Sequence, residues 1–239
     1  MSTLLVPARQ RGIETLDAPG GDPALARRSL RDVALANRMF GGTRAVLAEL
    51  APIWALVPPQ ATLLDVGTGA GDIPARARTA AAARGIALGA IGLEATLALA
   101  QNSRLGTPIA LCGDARRLPF PDASIDIVIC SQLLHHFVDG EARLLLAELN
   151  RVARTRVIVS DLERNRIAAA SIWLASFPLG FHPASRHDGV VSVLRGFRSH
   201  ELRTMVQEAS GCEPDVRYRL GYRITASWSP AHTASVGNR

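Results

Sequence analysis

Short apolar runs alternate with amphipathic segments through the middle of the chain. The runs are bounded by glycine, proline and charged residues, and they lie at 61–67, 86–94, 109–115, 125–131 and 156–161. Strands this uniformly apolar are typical of a parallel sheet whose two faces are both covered by helices. The pattern therefore predicts an α/β fold with a doubly wound, mostly parallel sheet.

The flanks of this region follow different patterns. Residues 1–22 are expected to form a loose arm, and helical spacing predicts a helix from Asp22 to Met39 and a second from Thr43 to about Leu56. The segment 199–211 is predicted to be a helix that Gly211 ends, with Ser199 as its N-cap. Alternation over 215–228 predicts an antiparallel hairpin at the sheet edge. The predicted organisation is an arm and helical lid (1–60), a main domain (61–228) and a tail (229–239).

Composition and charge exclude several classes of function. The chain has 239 residues, a formal charge of +6 and 27 cationic side chains, all of them arginine. The arginines are scattered and not interleaved with aromatics, so no nucleic-acid partner is expected. The three cysteines lie far apart and form no zinc spacing, so no metal is expected and a cytoplasmic location is favoured. No apolar run reaches the roughly 20 residues of a membrane span.

A glycine-rich turn follows the first apolar run. Gly67, Gly69 and Gly71 form G-x-G-x-G. A dinucleotide site has G-x-G-x-x-G, so the third glycine here comes one residue too early. A P-loop needs a lysine, which this chain lacks. Asp65 would repel phosphates at this strand end, but it would attract an ammonium or sulfonium group. Glu94 ends the second strand, where a carboxylate can accept ribose hydroxyls. Asp114, with Ala115 beside it, follows the third strand and is placed to accept from an adenine amino group.

These residues, in their order, resemble the class I S-adenosylmethionine (SAM)-dependent methyltransferases, and in particular those that act on small molecules such as quinones and polyketides. The resemblance covers about 61–165 and is carried by "LDVGTGAG", "IGLEAT", "GDARRLPFPDASIDIVICSQLLHHF" and "RVIVSD". It implies a Rossmann-like, seven-stranded sheet with SAM above the carboxyl ends of the strands. The cofactor-binding residues expected from it are Asp65, Gly67, Thr68, Gly69, Gly71, Glu94, Ala95, Asp114, Ala115, Ser131 and Gln132.

Candidate catalytic residues follow the fourth and fifth strands, which are neighbours in this fold. We expect His135 to be a general base oriented by Asp161, with His136 as the next candidate. Each histidine could instead have a packing or capping role. Because many relatives act by proximity alone, a base is not required.

An insertion between the fifth strand and the next helix, residues 162–197, is expected to cap the acceptor. Trp173, Phe177 and Phe181 are predicted to line an apolar pocket. The polar cluster Arg186, His187 and Asp188 is expected at its mouth. The alternatives are a helix packed on the sheet or a dimer contact. The sequence around 186–197 favours a loop and a short strand. Lid residues are expected from the N-terminal helices, namely Asn37, Arg38 and Phe40.

The leading hypothesis is a SAM-dependent methyltransferase that methylates a hydroxyl of a small hydrophobic acceptor, such as a phenol, a quinone or a polyketide-like ring from secondary metabolism. The alternatives are C-methylation of a quinone precursor, a SAM-binding protein without activity, RNA methylation and, last, NAD-dependent oxidoreduction. The protein is expected to be a monomer or a homodimer.

Overall fold

A computed structural model describes residues 6–10, 12, 14, 23–104 and 106–231. Most of the predicted arm and the tail beyond residue 231 lie outside the described residues. None of the helices within the described ranges has the length and apolar character needed to cross a membrane.

The centre of the molecule is a seven-stranded sheet with the order β3-β2-β1-β4-β5-β7-β6. Strands β1 to β5 are parallel to one another, and β7 pairs antiparallel with both β5 and β6. This arrangement confirms the predicted fold class and its edge hairpin. The strands are β1 (Gln60–Val66), β2 (Ala87–Glu94), β3 (Ile109–Cys112), β4 (Ile125–Ser131), β5 (Ala153–Leu162), β6 (Asp215–Arg219) and β7 (Arg223–Trp228).

Helices cover both faces of the sheet. The helices are α1 (Pro23–Met39), α2 (Gly42–Leu50), α3 (Asp72–Ala82), α4 (Leu97–Ser103), α5 (Asp139–Val152), α6 (Arg166–Ala175), α7 (Pro183–Arg195) and α8 (Ser199–Ser210). One short 3₁₀ turn, Ile53–Ala55, follows α2, and another, Leu134–His136, follows β4. The second predicted helix therefore ends at Leu50, before Pro52.

The core has two layers because successive strand residues point to opposite faces. In β4, Val128 and Cys130 pack in the layer under α5 and α8. Ile127 and Ile129 pack in the opposite layer, which contains residues of α2 and α3. All of β4 is buried, as expected for the centre of a parallel sheet covered on both faces.

The segment 186–197 differs from its prediction, since it belongs to helix α7. Pro183 occupies the first turn, and the His182 side chain accepts the backbone N–H of Ala184 at 3.2 Å. Val193 packs with Ala168 and Ala169 of α6. The β-branched run suggested a strand, but packing against α6 outweighs that local preference.

The start of α8 also differs in detail. Ser199 is the first helical residue, and Arg198 is the N-cap, whose backbone N–H donates to Glu201 at 2.9 Å. Gly211 ends the helix in the left-handed conformation, as predicted.

The N-terminal helices are fixed to the edge hairpin by close backbone contact. A Cβ at Gly41 would lie 2.7 Å from the Leu220 carbonyl oxygen, and one at Gly221 would lie 2.0 Å from that of Phe40. The turn between α1 and α2 therefore lies on the turn between β6 and β7. This contact holds α1 above the carboxyl ends of β4 and β5.

Candidate active site

The glycine-rich turn joins β1 to α3, and its three glycines all have positive φ, at 75°, 57° and 73° for Gly67, Gly69 and Gly71. A Cβ at Gly67 would lie 2.8 Å from Leu133 Cδ2, and one at Gly71 would lie 2.7 Å from the Ser103 carbonyl oxygen. A Cβ at Gly69 would meet no described atom within 4 Å. Two glycines are therefore needed for packing, while the middle one leaves its face of the turn open.

Asp65 is buried near the end of β1, and neither carboxylate oxygen has a hydrogen-bond partner among the described residues. Burial raises the pKa of Asp65 to about 7. The Thr68 hydroxyl beside the carboxylate offsets part of the rise, and the negative charges of Asp72 and Glu94 add to it. Thr68 is also buried beside it and packs against Gly92, where a Cβ would lie 2.6 Å from Thr68 Cγ2. A positively charged ligand would favour the ionised form of Asp65.

Glu94 ends β2 with its carboxylate on the glycine-rich turn, where it accepts the backbone N–H of Gly69. Burial raises the pKa of Glu94. The neighbouring Ala95 carbonyl accepts a weak bond from the thiol of Cys112 at 3.6 Å. The structure thus brings the turn and the acid of the second strand together.

Asp114 and Ala115 lie after β3 at the outer side of this region. Asp114 is half exposed and bonds to Arg116, with Nε 3.0 Å from Oδ1. These hydrogen bonds from Arg116 lower the pKa of Asp114. Ala115 packs against the core. The Asp114 carboxylate is therefore engaged by Arg116.

Ser131 and Gln132 end β4. Ser131 is buried, and its hydroxyl has no partner among the described residues. Gln132 has a positive φ of 54°; its side-chain amide donates to Asn37, and its oxygen accepts from Arg223 Nη1 at 2.6 Å. Gln132 therefore connects β4 to the α1 lid and to β7.

The fold is similar to those of known methyltransferase structures. It aligns with a SAM-dependent methyltransferase from Aquifex aeolicus at 18% identity, covering 87% of this chain and 98% of that one, with a TM-score of 0.60. It also aligns with magnesium protoporphyrin IX methyltransferase from Synechocystis PCC 6803 with bound SAM, at 14% identity, 80% coverage of each chain and a TM-score of 0.53. A candidate O-methyltransferase from Nostoc punctiforme PCC 73102 aligns at 16% identity over 86% of this chain and 61% of that one, with a TM-score of 0.58.

The sequence of residues 64–160 matches the family described as a methyltransferase domain. Residues 64–160 of this chain therefore carry a methyltransferase domain. No curated protein matched the chain in sequence. The matched residues run from the end of β1 to near the end of β5, so they include the glycine-rich turn, Glu94 and the end of β4.

The residues of the methyltransferase domain fit SAM, its cofactor. SAM carries a sulfonium and an ammonium group, and the buried, unpartnered carboxylate of Asp65 suits a cationic ligand. The open side of Gly69 permits close approach to the backbone. The other expected contact residues lie at the same ends of the parallel strands, where open α/β sheets bind their ligands.

His135 and Asp161 meet at the ends of β4 and β5. His135 Nδ1 lies 2.6 Å from Asp161 Oδ1, and the His135 backbone N–H donates to Oδ2 at 3.1 Å. Both side chains are buried. Burial by itself would raise the pKa of Asp161, but the charge and hydrogen bond of His135 outweigh it, so the pKa of Asp161 is lowered. An ionised Asp161 accepts the proton on Nδ1 and leaves Nε2 as the basic nitrogen of His135.

Glu14 faces this pair from the N-terminal arm, and the sequence pattern gave no sign of it. Glu14 Oε1 lies 3.7 Å from His135 Nε2, and Glu14 Oε2 lies 3.9 Å from His136 Nε2. Oε1 also accepts from Ser192 Oγ at 2.7 Å and from Arg195 Nη1 at 3.1 Å. Ligand atoms of Glu14, His135 and His136 lie within 4.8 Å of one another, a donor set that a divalent cation could use. The Arg195 guanidinium already supplies a positive charge there.

A cavity of about 220 Å³ lies between α1, α6, α7 and the ends of β5 and β7. Its apolar lining residues include Val33, Ala36, Phe40, Leu162, Ile172 and Phe181. Its polar lining residues include Glu14, Ser29, Asp32, Ser185, Asp188, Ser192, Gln132 and Arg223. Residues of α1 and of the 162–197 insertion therefore both line the cavity.

The predicted acceptor residues lie in different places. Phe181 lines the cavity, whereas Trp173, Phe177, Arg186 and His187 do not. Trp173 and Phe177 are half exposed and contact each other, and the Arg186 guanidinium lies 3.6 Å from the Phe177 ring centroid. Helix α6 turns Ala168 and Ile172 inward, so its aromatic residues face outward. In the lid, Asn37 and Phe40 reach the site, while Arg38 is exposed.

Among the polar lining residues, Ser29, Asp32 and Ser185 were not candidates of the sequence analysis, whereas Asp188 was expected in the polar cluster at the pocket mouth. Ser29 and Asp32 are three residues apart in α1, and Ser185 and Asp188 are three apart in α7. The two helices meet there, since Ser185 Oγ donates to Ser29 Oγ at 3.2 Å. A helical interpretation of 183–195 would have placed Ser185 and Asp188 on one face, as the helix predicted from Asp22 to Met39 already placed Ser29 and Asp32.

Proposed function

We propose that this methyltransferase transfers a methyl group to a hydroxyl of a small, largely hydrophobic acceptor that occupies the cavity between α1, α6 and α7. The observation that carries this proposal is the buried His135–Asp161 hydrogen bond of 2.6 Å at the strand ends beside that cavity. A base is most useful for an oxygen nucleophile, which gains from losing its proton.

The cofactor would be held by the glycine-rich turn and the strand ends next to it. Asp65 is placed to attract its positive end, and Glu94 to accept its ribose hydroxyls once it leaves the Gly69 N–H. Bound SAM supplies an electrophilic methyl group on a good leaving group. Thr68, Ala95, Asp114, Ala115, Ser131 and Gln132 complete the proposed binding site.

The chain contributes orientation and a route for the acceptor proton. Asp161 holds the imidazole of His135 through Nδ1, so Nε2 is the atom that takes the proton. An ionised, buried Asp161 stabilises the imidazolium that results. Lids α1 and α6–α7 exclude water from the cavity.

The cavity walls support an aromatic or polycyclic acceptor with hydroxyl groups. Phe40, Ile172 and Phe181 are among the lining residues and suit an apolar ring. Serine hydroxyls and the carboxylates of Asp32 and Asp188 also line the cavity and suit hydrogen-bond donors on that ring. We therefore favour phenols, hydroquinones or polyketide-like rings.

The test is incubation of the purified chain with methyl-labelled SAM and a panel that contains 2-naphthol, 1,4-naphthohydroquinone and methylhydroquinone. We expect a labelled methyl ether, identified by NMR and mass spectrometry. A carbon-methylated product would show that the enzyme methylates carbon and not oxygen. Binding of S-adenosylhomocysteine (SAH) without turnover of any aromatic acceptor would contradict the proposal.

The role of Asp161 is tested by Asp161→Asn, which keeps the shape of the side chain and removes its charge. We expect kcat to fall by about 10²-fold or more, because the imidazolium of His135 loses its counter-charge. The affinity for SAH, measured by calorimetry, should stay within about threefold. Asp122→Asn, at an exposed ion pair with Arg151, is the matched control and should change neither value.

A further inference from the structure

His135 Nε2 does not reach the acceptor cavity directly. Glu14 is among the residues that line the cavity, and His135 is not. The His135 side chain is only 2% exposed, and its Nε2 atom has no hydrogen-bond partner among the described residues. The nearest carboxylate oxygen is Glu14 Oε1 at 3.7 Å. Glu14 therefore lies between the proposed base and the space where the acceptor would bind.

We infer that Glu14 is a further catalytic residue, which takes the proton of the acceptor hydroxyl and passes it to His135 Nε2. The inference rests on the proposed function. Two hydrogen-bond acceptors that face each other across 3.7 Å are poorly matched unless a proton or a cation lies between them. A carboxylate that lines the cavity and borders Nε2 is in position to supply that proton.

The step balances as a proton transfer coupled to methyl transfer. The acceptor O–H bond breaks, and its electron pair forms the new O–CH₃ bond. The carbon–sulfur pair stays on sulfur, and the proton moves through a Glu14 carboxylate oxygen to Nε2. The separation of 3.7 Å exceeds a hydrogen bond, so Glu14 must approach by less than 1 Å when the acceptor binds.

The arm is held firmly enough to place Glu14. The Arg195 side chain donates from Nε to the Gly12 carbonyl at 2.7 Å and from Nη1 to Glu14 Oε1 at 3.1 Å. Arg164 Nε donates to the Pro7 carbonyl at 2.8 Å. The Gln10 backbone N–H donates to the Leu194 carbonyl at 3.2 Å. The described residues of the arm, 6–10, 12 and 14, therefore lie near the end of α7 and outside the matched family region.

Several charged and titratable groups surround the pair of Glu14 and His135 and contribute to its pH dependence. Asp161 contacts His135 from β5, and His136 stacks beside it with ring centroids 4.3 Å apart. Arg195 of α7 contacts Glu14. Arg223 of β7 interacts electrostatically with Asp161, as does the Cys130 thiol of β4.

The first experiment needs no acceptor. In SAH-loaded protein at one fixed pH, the imidazole ¹⁵N chemical shifts of His135 are compared between wild type, Glu14→Gln and the exposed-pair control Glu213→Gln, which disrupts a contact with Arg203. Because Glu14 Oε1 lies 3.7 Å from His135 Nε2, Glu14→Gln should change the Nε2 shift, and Glu213→Gln should leave it as in wild type. An unchanged Nε2 shift in Glu14→Gln would show that Glu14 does not act on His135.

The second experiment uses the acceptor from the aromatic panel that gives turnover. We expect Glu14→Gln to lower kcat by about 10²-fold with KM within about threefold, and Glu14→Asp to recover part of the loss. Unchanged SAH affinity in all variants separates this result from a failure of the proposed function, which would appear as inactivity of the wild type. A kcat for Glu14→Gln within about threefold of wild type, or activity that EDTA abolishes and Zn²⁺ restores, would overturn the relay.

Discussion

The cofactor region and the acceptor region of this molecule are built in different ways. The cofactor region, which comprises the glycine-rich turn, Glu94 and the end of β4, comes from three strand ends within one continuous stretch of chain. The acceptor region combines the N-terminal arm, α1, the α6–α7 insertion and β7, whose residues are up to about 200 positions apart, as Glu14 and Arg223 are. The first depends on local backbone geometry, and the second on packing between distant segments.

This difference implies different tolerances to substitution. Gly67 and Gly71 have positive φ and close neighbours, so the cofactor region has little freedom to change. The cavity of the acceptor region is enclosed by helix side chains, and each of these side chains can be substituted individually. The family match spans 64–160 and leaves out the arm, α1, α6, α7 and β7. Acceptor choice can therefore vary on an unchanged cofactor region.

The largest effect is expected from Gly71→Ala, compared with Gly85→Ala as its matched control. Both residues have positive φ, at 73° and 75°, but only at Gly71 would the new Cβ lie 2.7 Å from other atoms. Gly85→Ala should cost about 1 kcal/mol in urea unfolding, and Gly71→Ala about 3 kcal/mol with at least about 30-fold weaker SAH binding. Equal effects of the two substitutions would show that backbone conformation alone matters.

A smaller effect is expected from Asp65→Asn, measured by urea unfolding at two pH values. Burial raises the pKa of Asp65 to about 7, so the native state binds this proton more tightly than the unfolded state does. The contribution of Asp65 therefore makes wild-type stability fall as pH rises from about 4 to about 7. The variant should lack this slope and should be more stable than wild type by on the order of 2 kcal/mol at about pH 8.

The same substitution should weaken SAH binding by about tenfold, because the ligand's ammonium group loses a carboxylate. A gain in stability with a loss of binding would mark Asp65 as a residue kept for the ligand. Identical pH slopes for wild type and variant would refute this account of Asp65.

The smallest effect is expected at the outer face of α6. Phe181 lines the cavity and is 6% exposed, while Trp173 lies outside it and is 46% exposed. Phe181→Ala should raise the acceptor KM by about tenfold, because a buried aromatic contact is lost. Trp173→Ala should change KM by less than about twofold. A larger rise of KM in Trp173→Ala than in Phe181→Ala would instead place the acceptor at the aromatic face that the sequence suggested.

The sequence predicted the fold well because strand and helix periodicities are local. From the sequence, His135 and Asp161 were expected to meet because they follow neighbouring parallel strands, whose carboxyl ends lie at one edge of the sheet. The structure confirms that these two side chains meet. Their catalytic role stays a proposal.

The acceptor wall was harder to predict for a physical reason. Trp173, Phe177 and Phe181 were all expected to line the acceptor pocket, but Trp173 and Phe177 lie at the outer side of the α6 region. The prediction of a loop and a strand for 186–197 hid the helical pairing of Ser185 with Asp188. Nothing local marks Glu14, since its position depends on contacts of the arm with α7.

The most direct test is calorimetric titration of SAH into wild type, Glu94→Ala and Phe181→Ala. The account predicts that wild type binds SAH in preference to NAD and that Glu94→Ala binds at least about tenfold more weakly. Phe181→Ala should bind within about twofold of wild type, because it alters only the acceptor region. Preference for NAD, or an equal loss of SAH affinity in both variants, would contradict the separation of the two regions.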